Sequence, residues 1–106
     1  MKKIYSNRIE YRVDGKLHRE DGPAIEYTNG EKEYWIDGKL HREDGPAIEY
    51  ADGDKEWYLY GLLHREDGPA VKYADGYKSY WINGERLDFI TSNQMLSCYL
   101  KYGFLR

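Results

Sequence analysis

The chain has 106 residues, 33% of them charged, a formal net charge of −3 at pH 7 and one cysteine, Cys98. That is one domain's length; the acidic balance gives no basic footprint for nucleic acid, and a single cysteine excludes an internal disulfide, which suits a reducing cytoplasm. The 12 Tyr, 3 Trp and 2 Phe argue against disorder, because aromatic side chains bury much area each.

No apolar core follows Met1-Lys2-Lys3, so no secretion signal is expected. No apolar run approaches the ~20 residues of a membrane helix, so no membrane span is expected either. The first unit is divergent and becomes regular from Tyr11. The heptapeptide His-Arg-Glu-Asp-Gly-Pro-Ala then appears at residues 18–24, 41–47 and 64–70, a fixed period of 23 residues (18 to 41, 41 to 64). Asp14-Gly15, Asp37-Gly38 and Asn83-Gly84 recur in step, as do Asn29-Gly30, Asp52-Gly53 and Asp75-Gly76. A fixed short period marks a repeat architecture.

Within a unit, Ile25-Glu26-Tyr27 and Glu33-Tyr34-Trp35-Ile36 carry strand-fitting residues. Asn29-Gly30 between them is a hairpin signal, since a type I′ turn needs positive φ at both central residues. A two-residue turn and a three-residue loop with a glycine bulge both fit. The two-residue turn is favoured, because it places Ile25, Tyr27, Tyr34 and Ile36 on one face and Ala24, Glu26, Glu33 and Trp35 on the other. Its weakness is that Glu26 then opposes Glu33, and Glu49 opposes Glu56. In that register the rows Tyr11, Tyr34, Trp57, Tyr80 and Val13, Ile36, Leu59, Ile82 share a face with Ile25, Ile48, Val71 and Tyr27, Tyr50, Tyr73. Trp35, Tyr58 and Trp81 lie on the other face, opposite Ala24, Ala47 and Ala70. Such a sheet needs a second layer, supplied by its own twist, a second copy or a target. The heptapeptide joins one hairpin to the next: Asp and Gly make a turn and Pro re-enters the strand.

After residue 87 the pattern stops. Thr91 as N-cap with Gln94 three residues on is a capping box, and Ile90 with Met95 a hydrophobic staple; Asp88 is an alternative start. Gly103 supplies a stop, with Phe104 in reach of Tyr99. Met95, Leu96, Tyr99 and Leu100 share one helical face. The expected fold is therefore mainly β: tandem 23-residue β-hairpins in an elongated, twisted antiparallel sheet over residues 1–87. A C-terminal capping α-helix within residues 88–106 completes one structural domain.

Period and turn placement, seen in Tyr34-Trp35-Ile36-Asp37-Gly38-Lys39-Leu40-His41, resemble MORN repeats, which are elongated sheets of β-hairpins. The heptapeptide itself more closely resembles tandem-repeat proteins of tailed phages and large DNA viruses. That resemblance covers residues 1–87. It implies a viral source and a small cytoplasmic protein, and no particular chemistry.

His18, Arg19 and Asp21, His41, Arg42 and Asp44, and His64, Arg65 and Asp67, each with a Glu, could be read as acid–base machinery. Catalytic constellations gather unlike residues in one pocket, whereas identical copies along an edge are what a scaffold produces. The loop is therefore read as a structural corner: Asp caps the turn, Arg and Glu pair across neighbouring loops, and His hydrogen-bonds. No phosphate loop, nucleophile elbow or zinc-protease pattern is present. With equivalent histidines about 9.5 Å apart, no two can ligate one zinc at about 2.0–2.1 Å. The chain is expected to be non-catalytic, with no metal and no cofactor.

Comparing units internally singles out three positions. Asp37 is matched by Tyr60, Lys39 by Leu62, and Glu31 and Asp54 by Tyr77. With Trp35, Tyr58 and Trp81 these form the expected partner-binding set, unless the first three pack on the C-terminal cap. The expected function is binding of a protein partner, a host factor, or self-association. The alternative is a nucleotide or sugar stacking on Trp35, Tyr58 and Trp81.

Overall fold

A computed structural model describes residues 1–87, so the expected helix and the segment 88–106 lie outside the described residues. Each unit contains two hairpins, and they differ in turn chemistry. In the first, β4 (Ile25–Tyr27) pairs antiparallel with β5 (Lys32–Glu33), Ile25 opposite Glu33 and Glu26 opposite Lys32. Tyr27 N–H donates to the Glu31 carbonyl (2.9 Å), Gly30 N–H to the Tyr27 carbonyl (3.0 Å), and Gly30 has φ +99°. This is a three-residue loop with a glycine bulge, held further by Glu31 N–H donating to Asn29 Oδ1 (2.9 Å). β8 (Ile48–Glu49) with β9 (Lys55–Glu56), and β12 (Val71–Lys72) with β13 (Lys78–Ser79), repeat it.

The two-residue register expected at Asn29-Gly30 is thus corrected; charge favours the bulge in the units of Glu26 and Glu49, and the third unit keeps the same bulge with Lys72 opposite Lys78. The bulge sets Glu26 against Lys32 and Glu49 against Lys55, where the other register opposes carboxylate to carboxylate. The expected face assignment falls with it. By alternation, Glu33 and Trp35 lie on the Ile25 face, while Tyr34 and Ile36 lie with Ala24. Tyr11, Tyr34, Trp57 and Tyr80 therefore do not share a face with Ile25, Ile48 and Val71, and Trp35, Tyr58 and Trp81 do not face the alanines.

The type I′ turn occurs in the second hairpin. β6 (Trp35–Ile36) pairs with β7 (Lys39–Leu40) around Asp37 (φ 49°) and Gly38 (φ 77°). β10 (Tyr58–Leu59) with β11 (Leu62–Leu63), and β14 (Trp81–Ile82) with β15 (Glu85–Arg86), repeat it. At the N-terminal end β1 (Lys2–Ile4) pairs with β2 (Arg8–Val13), whose last residues pair with β3 (Lys16–Leu17).

The first hairpins join into one antiparallel meander in the order β1-β2-β4-β5-β8-β9-β12-β13. Equivalent residues such as Ile25 and Ile48 are thus separated by one intervening strand, as tandem hairpins require. The second hairpins form a lower tier, bridged by Gly38 N–H to the Leu17 carbonyl (2.9 Å) and Arg19 N–H to the Trp35 carbonyl (3.1 Å), with the same pair in each later unit. Tyr34 is where a strand changes neighbours. Its N–H donates to Ala47 (2.7 Å) in the upper sheet, and its carbonyl accepts from His41 (2.9 Å) below. Ala24, Ala47 and Ala70 are fully buried at this seam, and Ile25, Ile48 and Val71 are buried on the opposite face.

Candidate functional site

The His and Arg of the heptapeptide hold the seam. His41 Nδ1 accepts the backbone N–H of Tyr60, the first turn residue of the next unit (3.0 Å); His18 does so for Asp37 (2.9 Å) and His64 for Asn83 (3.0 Å). With Nδ1 an acceptor, the proton sits on Nε2, which faces the Glu of its own loop at 3.1–3.3 Å. Arg19, Arg42 and Arg65 lie over Tyr11, Tyr34 and Trp57 with the guanidinium carbon 3.9 Å from each ring centre. Each also donates Nε–H to the loop Asp (3.0–3.1 Å) and Nη1–H to the Pro carbonyl (3.1–3.2 Å). A Cβ on Gly45 would meet the Arg42 guanidinium at 2.9 Å, so a side chain there would displace the arginine from its place over Tyr34. One expectation is corrected here: Arg and Glu do not pair across neighbouring loops. Arg pairs with Asp inside its loop, and the neighbour is reached by His.

Successive loops leave two equivalent open grooves. One, of about 940 Å³, runs between the Arg19–Pro23 stretch and His41–Asp44, over Tyr34 and Ile36. The next, of about 750 Å³, repeats it over Trp57 and Leu59. Tyr60 borders both.

Tyr60, the first residue of one lower-tier turn, and Leu62, just after it, are 63% and 48% exposed. Tyr60 has φ 49°, in the left-handed region where equivalent units place Asp14, Asp37 and Asn83. Its ring rests on His41, with centroids 4.1 Å apart and planes tilted by 37°. Tyr77 is exposed too, but it opens the strand that ends at the following lower turn and packs against Tyr73 (5.3 Å). It belongs to the upper-tier end, so Tyr60 and Leu62 share one turn, Tyr60 against His41 and Leu62 beside Gly84, and Tyr77 lies apart. Trp35, Tyr58 and Trp81 are half-buried on the Ile25 face. Trp35 donates to Glu33 (2.9 Å), the Tyr58 hydroxyl to Glu56 (2.9 Å) and Trp81 to Ser79 (2.8 Å).

That face is crowded with carboxylates. Burial, then a hydrogen bond and repulsion from Glu33, raise the Glu31 carboxyl to about 7. Burial, then the Glu56 charge, push the Tyr50 hydroxyl up to about 12, and burial with the bond to Glu56 pushes Tyr58 higher still. Glu10, buried at the first unit, goes the other way. Its hydrogen bond from Arg8 (2.6 Å), against an opposing cost of burial and with help from Arg12 (3.0 Å), lowers its carboxyl.

Among the described residues no group of three or more His, Cys, Asp or Glu is placed to hold a metal ion, and no helix is long and apolar enough to cross a membrane. Sequence reasoning missed the histidine clasp, whose signal is the constant 19-residue offset from each His to a turn residue preceding Gly. It also missed a charge reversal at Lys72, which the internal comparison that found Tyr60 would have shown. No family model, curated protein or solved structure matches the chain.

Proposed function

We propose that the chain is a non-catalytic binding module whose partner is a protein, contacted at the Tyr60–Leu62 hairpin tip. The observation that supports this best is Tyr60. A bulky side chain in the left-handed region is disfavoured where Asn and Asp are tolerated, yet here it stands exposed on a turn whose other copies use Asp and Asn. Retained strain joined to apolar exposure is a mark of a contact residue. The heptapeptides support the non-catalytic reading, because His, Arg and Asp are engaged in holding the seam. The resemblance to viral repeat proteins makes a host protein, met in the cytoplasm of the infected cell, the partner we propose.

The test is the double variant Tyr60→Asp with Leu62→Lys, which installs the residues of the preceding unit, Asp37 and Lys39. Melting should stay within a few degrees of the parent, since relief of left-handed strain offsets the lost stacking on His41. Affinity for a partner captured from host lysate and identified by mass spectrometry should fall by more than about 1 kcal/mol. Unchanged affinity would remove the tip from the binding surface. A second reading, a small ligand in the loop grooves, is favoured by their volumes of about 940 and 750 Å³; quenching of Trp57 fluorescence by nucleotides or sugars would select it.

A further inference from the structure

On the Ala24 face, away from the hairpin tip, charges alternate across the strands. Glu26 opposes Lys32, Lys32 opposes Glu49, and Glu49 opposes Lys55. The loop arginines join in: Arg19 Nη1 is 3.7 Å from Glu26, and Arg42 Nη1 is 2.9 Å from Glu49. Glu49 thus lies between two lysines with Arg42 beside it, and Glu26 between Lys32 and Ile9 with Arg19 beside it. In the third unit the equivalent position is Lys72. Lys72 opposes Lys55 on one side and Lys78 on the other, and Arg65 takes the place of Arg42. All three lysines are exposed. Among the described residues no carboxylate lies within 4.0 Å of Lys72 or Lys78, nor of Lys32 or Lys55; what sets the third unit apart is that no glutamate stands across the strands from Lys72. The aspartates of the adjoining turns serve the backbone: Asp52 accepts from Asp54 N–H (3.0 Å), Asp54 from Ala74 N–H (2.8 Å) and Asp75 from Tyr77 N–H (2.9 Å).

Like charges directly opposite across strands are unfavourable, and one of the lysines fills the position where two earlier units carry the neutralising acid. We propose that Lys55, Lys72 and Lys78 form a docking strip for an acidic segment of the protein partner, whose carboxylates supply the negative charge that Glu26 and Glu49 supply in the earlier units. In the second unit a glutamate stands across the strands from a lysine on either side, Lys32 and Lys55. The strip spans two strand intervals, about 9.5 Å, which carboxylates two or three residues apart on an extended segment can bridge at about 3.3–3.6 Å per residue. This rests on the protein-binding reading and adds a second contact, remote from Tyr60, that selects partners by charge.

The probe is fluorescently labelled hexaglutamate, followed by anisotropy at low and physiological salt. It should bind the full chain in a salt-dependent way, and hexalysine should not. Lys72→Glu should weaken binding at least tenfold while keeping or raising the melting temperature, because it remakes the pattern of the earlier units. The tip variant, Tyr60→Asp with Leu62→Lys, should bind hexaglutamate as well as the parent does. No binding, equal binding by Lys72→Glu, or tighter binding of tripolyphosphate than of hexaglutamate at matched ionic strength would each overturn the strip, the last in favour of phosphoryl groups. Loss of hexaglutamate binding with tip-dependent partner capture intact would sink this inference alone. The reverse result would sink the tip.

Discussion

His41 shows how much one side chain can carry. Its Nδ1 satisfies a turn N–H in the next unit, its Nε2 meets Glu43, and its ring supports Tyr60. The two polar contacts are not worth the same. Glu43 is exposed, and exposed pairs contribute little, so Glu43→Ala should be nearly neutral. Truncating the histidine strands the Tyr60 N–H, which costs about 1–2 kcal/mol. His41→Ala should therefore lower the melting temperature by roughly 5–15 °C, read by thermal denaturation beside Glu43→Ala; equal effects would contradict this division. That these residues are structural was legible in the sequence, since three identical copies point to a scaffold. Which neighbour each would reach was not legible. The histidine's acceptor role exists only because the lower-tier hairpin of the next unit comes back to it, a tertiary fact with no local signature.

Hairpins were legible from paired turn signals, but their registers were not, and the reason is chemical. Sorting apolar from polar residues favoured a two-residue turn at Asn29-Gly30. The protein instead mixes them on one face, because Trp35 and Tyr58 have polar tips that bond to Glu33 and Glu56. The opposed glutamates of the rejected register were the better guide. The same mixing makes the upper sheet respond to pH in two directions. Glu10, lowered by Arg8, gives stability that is present above the ordinary carboxylate range and lost as pH falls through its folded value. Glu31, raised to about 7 from the ordinary 4.5, keeps in the fold a proton that the unfolded chain releases. Its contribution is present below 4.5 and lost as pH rises through about 7. Glu31→Gln should accordingly shrink the drop in melting temperature between pH 5 and pH 8. A variant that melts with the parent's full pH dependence would show that another group is responsible.

At the scale of the molecule, hydrogen bonds link each unit to its neighbours in the array, in the manner of a one-dimensional assembly. Deleting residues 24–46 joins Pro23 to Ala47 and recreates the heptapeptide junction already present three times. The shortened chain should fold to the same β spectrum with a lower midpoint and a reduced denaturant slope; a disordered product would mean that the units are not interchangeable. The clasp between units also has a direction. Each histidine closes on a residue 19 positions later, never earlier. On the ribosome, at about 5–20 residues per second, a finished loop waits roughly 1–4 s for the turn that will close it. The nascent chain therefore locks in steps of one unit, always one unit behind synthesis, and the growing end carries a single open imidazole however long the array becomes.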